Sequence, residues 1–195
     1  LPLPPRLSRM LISAVPHGAV ERAAMIAAVL VERGIGGNDT DLALRLESFS
    51  RDRSRRADDM RRLAQGWARQ AAEGGARRSD DGISTAALLA LAYPDRVGRV
   101  RGAPGQFLMA NGRAGNIDVR EPLARAPYLV VAELQGKAAS TRIVLAVAAD
   151  EADVMEFAAD RIEDADELSF DTNSQSVRAK RTRRLGAITL LSSPR

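Results

Sequence analysis

In the first half of the chain, apolar residues recur every three or four positions, the period of an α-helix. Leu7, Met10 and Leu11 follow Pro5, which suits the first turn of a helix. From about 18 to 33, Val20, Ala24, Ala27 and Leu30 share one face of an Ala-rich stretch, and Gly34, Gly36 and Gly37 break it. Asn38 or Asp39 is then expected to cap the next helix, with Asp41 in its first turn. Leu42, Leu46 and Phe49 keep the helical spacing, as do Met60, Leu63, Trp67 and Ala71, until Gly74-Gly75 stops it. A polar loop over 77–82 leads to a short helix near 83–92, which Pro94 ends.

Beyond Pro94 the period changes. Val97 to Arg101 alternates apolar and basic residues, and Gln106 to Ala110 is short and mostly apolar. Tyr128 to Leu134 and Ile143 to Val147 are Val/Ile-rich runs, the stronger strand signals. Residues 151–160 read as one helix, followed by strands at 168–170, 176–184 and 187–191. Short strands, Gly/Asn turns and one intervening helix predict a small barrel. The expected class is α+β. Residues 1–93 form a helical bundle, and 94–195 a mainly β, OB-like barrel with one helix.

Composition narrows the core. Hydrophobic residues make up 45% of the 195 and aromatics only 4%, so Ala, Leu, Val and Ile must do most of the filling. No apolar run approaches the ~20 residues that span a bilayer, which predicts no membrane partner. Without cysteine there is no disulfide framework and no thiolate metal site. A cytoplasmic setting is expected. The opening Leu1-Pro2-Leu3-Pro4-Pro5, without an initiator Met, reads as the interior of a longer protein.

Charge adds a nucleic-acid candidate. The net charge is +4, carried by 27 Arg and 2 Lys. Arg offers a planar fork that suits phosphate, although an Arg bias equally follows from a GC-rich genome. Residues 94–147 sum to +4, 148–171 to −9 and 172–195 to +6, which puts two basic strips around one acidic helix. Arg96, Arg99 and Arg101 lie in the first strip. Arg178, Lys180, Arg181, Arg183 and Arg184 lie in the second, and on a strand Arg178, Lys180 and Arg184 share a face. These eight are the candidate phosphate contacts. Pairing of the second strip with the acidic helix is the competing reading.

The other chemical signals are weaker. Asp150-Glu151-Ala152-Asp153 spells the magnesium box of a nucleotide-driven motor, but that box needs a G-x-x-x-x-G-K-[ST] loop. The sole Gly-Lys pair, Gly136-Lys137, has Val131 for the first Gly and Ala138 for the Ser or Thr. The box therefore reads as an acidic helix start. His17 is the only histidine, which excludes a His-based metal site or triad. Gly34-x-Gly36-Gly37 opens a helix as phosphate loops do, yet no strand precedes it, so it reads as a helix break. Trp67 sits at core spacing, and the mixed signs from Arg51 to Arg62 suit a solvated helix face.

Several stretches, taken in order, resemble the C-terminal region of the HrpB family of bacterial DEAH-box ATP-dependent RNA helicases. They are Leu1 to Leu11, Asp41 to Glu47, Leu88 to Val97, Ala110 to Ala114, Pro122 to Leu134, and Arg178 to Leu190. The resemblance covers essentially the whole chain. It implies a helical ratchet domain followed by an OB-like domain, with motor domains that use ATP and Mg²⁺ lying upstream. It also implies single-stranded RNA, or DNA, as a partner. None of the family's catalytic residues falls on this chain. The expectation is an accessory region that holds or guides a single strand. The alternative is a protein-interaction module of the helicase without nucleic-acid contact.

Overall fold

A computed structural model describes the backbone of residues 1–73, 79–137, 141–171 and 176–194, and the side chains of these residues outside 167–180 and 192–194. Five helices come first: α1 (Pro5–Ala14), α2 (Val20–Val31), α3 (Leu42–Arg51), α4 (Arg55–Ala71) and α5 (Thr85–Ala92). Side-chain oxygens start the last three. Asp41 accepts from the Ala43 N–H at 2.8 Å, Ser54 from Ala57 at 3.2 Å and Ser84 from Ala87 at 3.0 Å. The cap of α3 is thus Asp41 rather than Asn38 or Asp39. The Asp39 carboxylate is engaged one step earlier, on the Asp41 N–H at 2.8 Å.

The apolar stripes of α1, α2 and α4 close on one another through small residues. Ala23, Ala24, Ala27 and Ala28 of α2, and Ala57, Ala64 and Ala68 of α4, are buried, and the two helices pack together. Helix α5 is apolar all round, which only an interior helix can be. It packs against α1, α2 and two strands of the barrel.

That barrel is β1 (Val97–Val100), β2 (Gln106–Met109), β3 (Ala114–Asn116), β4 (Tyr128–Gln135) and β5 (Arg142–Ala149). The order is β1-β2-β3-β5-β4, closed by β4 on β1 and parallel only between β3 and β5. The sequence gives no sign of β3, because Ala114, Gly115 and Asn116 carry no β-branched or aromatic signal. Strand β4 is buried on both faces. Leu129 and Val131 fill the barrel, while Tyr128, Val130 and Ala132 join the core of the helices. The larger core therefore runs without a break from the helical half onto the outside of the barrel.

Helix α6 (Glu151–Phe157) leads to a second sheet of β6 (Ile162–Asp171), β7 (Ser176–Leu185) and β8 (Ile188–Pro194), all antiparallel. The α+β class and the OB-like barrel are as expected, but these last strands are not barrel staves. Pairing of β1 with both β2 and β4 already closes the barrel and leaves no edge for them. They dock outside it instead. At the β7–β8 turn, Gly186 has φ 54° and lies so close to the Ala110 carbonyl that a Cβ there would stand 2.3 Å from that oxygen. The Ala187 N–H donates to the same oxygen at 2.8 Å, and Leu185, Ile188 and Leu190 enter the larger core.

A continuous core predicts joint unfolding. Leu145 on β5 is fully buried against the helical half. Leu145→Ala is expected to cost about 2–5 kcal/mol. In urea, fluorescence of Trp67 in α4 and the far-ultraviolet circular dichroism of the whole chain should still fall at one midpoint. Separate midpoints would mean that the two halves do not share a cooperative core.

Candidate nucleic-acid interface

The six candidate basic residues whose side chains are described do not form one patch. Arg96 is half-buried: its Nη1 donates to the Ala132 carbonyl at 2.6 Å, and its guanidinium lies 4.7 Å from the centre of the Tyr93 ring. Arg6 covers the same ring at 5.5 Å and pairs with Asp95 at 2.6 Å. Arg99 donates to the Thr189 carbonyl of β8 and lies over Tyr128 at 5.8 Å. Arg96 and Arg99 are therefore joints of the fold. Arg101 is exposed. Arg184 is half-buried and engaged within the chain. The side chains of Arg178 and Lys180 lie outside the described residues.

The second basic strip meets carboxylates directly. The acidic segment does not form one helix: α6 takes its start, and β6 takes the rest as the antiparallel neighbour of β7. The register sets Glu163 opposite Arg184, Asp164 opposite Arg183, Asp166 opposite Arg181 and Glu167 opposite Lys180. Opposite charges facing across a ladder attract. Asp164 receives both Arg183, at 3.0 Å, and Arg181, at 3.6 Å. The Arg183 hydrogen bond, then the two guanidinium charges, hold the Asp164 carboxyl below the usual carboxylate range.

A different set comes together on the barrel. On β2, Phe107 points inward, which turns Gln106 outward. Gln106 is paired with Asn116 of β3, and Asn116 with Arg142 of β5. On the other side, the Arg101 N–H donates to the Gln106 carbonyl at 2.8 Å. Arg101, Gln106, Asn116 and Arg142 are all exposed and stand in one row, Arg101 just past the end of β1 and the other three on β2, β3 and β5. Three interstrand steps make that row about 14 Å long. Two forked cations flank two amides, a set suited to phosphate and base edges. The row crosses strands 2 and 3, the face that OB-folds turn to oligonucleotides. Only the barrel register assembles these four, so of them the sequence pointed to Arg101 alone.

The remaining candidates have structural roles. Asp150 caps α6, accepting from the Asp153 N–H at 2.7 Å. Trp67 is in the core. His17 Nδ1 lies 2.8 Å from Asp81 Oδ2, beside a cleft of about 540 Å³ whose walls include Asp153, Glu156 and Phe157. Among the described residues, no group of His, Asp and Glu side chains is placed to hold a metal ion, and no helix is long and apolar enough to cross a membrane.

Comparison with known proteins extends across the whole chain. It is 31% identical over 192 residues to the ATP-dependent RNA helicase HrpB of Escherichia coli, an alignment covering 97% of this chain. Two crystal structures of Escherichia coli HrpB superpose on it with TM-scores of 0.81 and 0.78, at 26% and 25% identity. One is described as a DExH-box NTPase and the other as a DEAH/RHA helicase. In sequence and in fold, this chain matches the C-terminal region of HrpB. The chain spans 22% of the HrpB sequence, and 23% of each crystallised chain. No protein-family model matches it.

The charge pairing has a measurable sign. A carboxyl whose pKa falls on folding stabilises the fold above its ordinary value of about 3.9, and that contribution is lost as pH drops through the lower folded value. In a pH titration followed at the Asp164 carboxyl carbon, the midpoint should lie below about 3.9, and Arg183→Ala should move it upward. A midpoint unmoved by Arg183→Ala would remove Arg183 as the cause.

Proposed function

We propose that this chain is the non-catalytic C-terminal accessory region of an ATP-dependent RNA helicase. Its barrel holds single-stranded nucleic acid, RNA rather than DNA, on the face bearing Arg101, Gln106, Asn116 and Arg142. ATP hydrolysis, with Mg²⁺, belongs to motor domains outside this chain, which are its protein partners, and the setting is cytoplasmic. The observation that carries the reading is the exposed row itself. It presents two guanidinium groups, neither in a salt bridge among the described residues, on the OB-type ligand face, in a chain that matches HrpB along its length; the Arg142 charge reaches Asp118, but that carboxylate is already paired with Arg120 at 2.7 Å. Arg96 and Arg99 act as braces behind this face. Arg178, Lys180, Arg181, Arg183 and Arg184 form a second strip, and the carboxylates of β6 compete with a strand for it.

A second reading is favoured by the acidic side of the molecule, where Asp81, Asp153 and Glu156 line one cleft. There the chain would dock a basic protein partner, and RNA would touch only the motor. Fluorescence anisotropy with a labelled single-stranded oligouridine, at KCl concentrations from about 50 to 200 mM, separates the two. Arg101→Ala and Arg142→Ala should each weaken binding about fivefold, the equivalent of ~1 kcal/mol for one charge-assisted contact. Each should also flatten the log–log salt dependence by about 0.7. Binding that is indifferent to salt and to both variants would sink the barrel reading. Loss of a partner on charge reversal at Asp153 and Glu156 would then favour the second.

A further inference from the structure

Arg45 occupies a position that an apolar residue would ordinarily take. It stands between Leu42 and Phe49 on the buried stripe of α3, and only 8% of it is exposed. Its Nε donates to the Asp39 carbonyl. Among the described residues no carboxylate comes within ion-pairing distance of it. Taking a guanidinium out of water without a counter-charge is costly, so buried arginines are as a rule paired. Its terminal nitrogens make no hydrogen bond among the described residues, yet no unbonded side-chain nitrogen is sealed from solvent.

The side chain lines a cleft of about 410 Å³ where the helical half meets the barrel. Arg33, Gly34 and Asn38 form one wall, and Glu133 and Gln135 at the end of β4 face them. Arg33 is exposed and makes no ion pair among the described residues. Glu133 is the one carboxylate in this wall and pairs with neither arginine there. Two guanidinium groups and two amides thus outweigh one carboxylate, over an apolar floor that includes Leu30 and Val144 and lowers the local dielectric.

The turn that carries this wall is held from three sides. Gly36 has φ 74°, and a Cβ there would stand 2.2 Å from the Arg45 carbonyl oxygen, so the turn rests on the backbone of α3. Arg56 donates to the Arg33 carbonyl at 2.6 Å. The Ala146 N–H of β5 donates to the Thr40 carbonyl at 3.0 Å, which fastens the following segment to the barrel. The backbone that carries these donors is therefore fixed before any ligand arrives, which lowers the entropy cost of binding.

We infer that this cleft binds a phosphate-class oxyanion. The Arg45 fork is the primary donor, with Arg33 and the Asn38 amide as second and third. The anion supplies the missing counter-charge and ties the helical half to the barrel. The site is separate from the barrel row and does not depend on it.

The test is an amide and arginine Nε–Hε nitrogen correlation spectrum of this chain, titrated at constant ionic strength with inorganic phosphate, chloride, or an oligouridine lacking terminal phosphates. Saturable shifts at Arg45 Nε–Hε and at the Gly34 and Asn38 amides are expected with phosphate and not with chloride. Arg33→Ala, at an exposed position, should weaken phosphate binding about tenfold while the rest of the spectrum stays in place. Saturation by oligouridine at lower concentration than phosphate assigns the site to a strand backbone, and a response to phosphate alone assigns it to the free ion. Shifts that are linear and equal in phosphate and chloride, or an affinity unchanged in Arg33→Ala, would overturn the inference. Because the response is read at Arg45 itself, it stands or falls apart from RNA binding by the barrel.

Discussion

The double burial of β4 is the constraint on which the rest of the structure depends. One set of its side chains fills the barrel, and the alternate set faces α5 and the helical core. A strand buried on both sides cannot slip by one residue without exchanging its two environments. The same register that closes the barrel therefore also fixes where the helices sit. The bulge in β4 between Val131 and Glu133 falls where the strand leaves the shared core, and from there its side chains turn toward the cleft beside Arg45.

Arginine has two opposed uses in this fold. Arg96 and Arg99 sit over tyrosine rings and donate to carbonyls of β4 and β8, so that planar cations join elements as apolar wedges do elsewhere. Arg101 and Arg142 are exposed and make no such stacking or carbonyl contact among the described residues. The difference follows from geometry. A guanidinium beside an aromatic face and a free carbonyl is captured by the protein, and one at a strand end without either stays exposed. The net charge does not distinguish the two groups.

This difference also accounts for how much could be read from the sequence. The helices were legible, because their stripes are local and Gly34 to Gly37 and Pro94 mark their ends. Strands β4 and β5 were legible from their Val and Ile runs. The three-residue β3 was not, since its strand character comes from pairing with Phe107 and Arg142 rather than from its own residues. Composition carries no period, so the acidic segment points to one helix; half of it is strand because β7 offers a ladder of opposite charge. The row on the barrel depends on register between strands distant in sequence, which no single segment encodes.

The Ala-rich contact between α2 and α4 has a consequence of its own. Helices whose facing residues are mostly Ala approach closely, at the short end of the usual interaxial range. An alanine has only a methyl to lose, so every substitution there except glycine adds volume. The α2–α4 contact is thus vulnerable to overfilling, which forces helices apart, while the barrel, with its Phe, Met, Leu and Ile interior, is vulnerable to hollowing. Because β4 and β5 carry the core from one half into the other, a change of side-chain size at the α2–α4 contact and one inside the barrel strain the same framework from opposite directions.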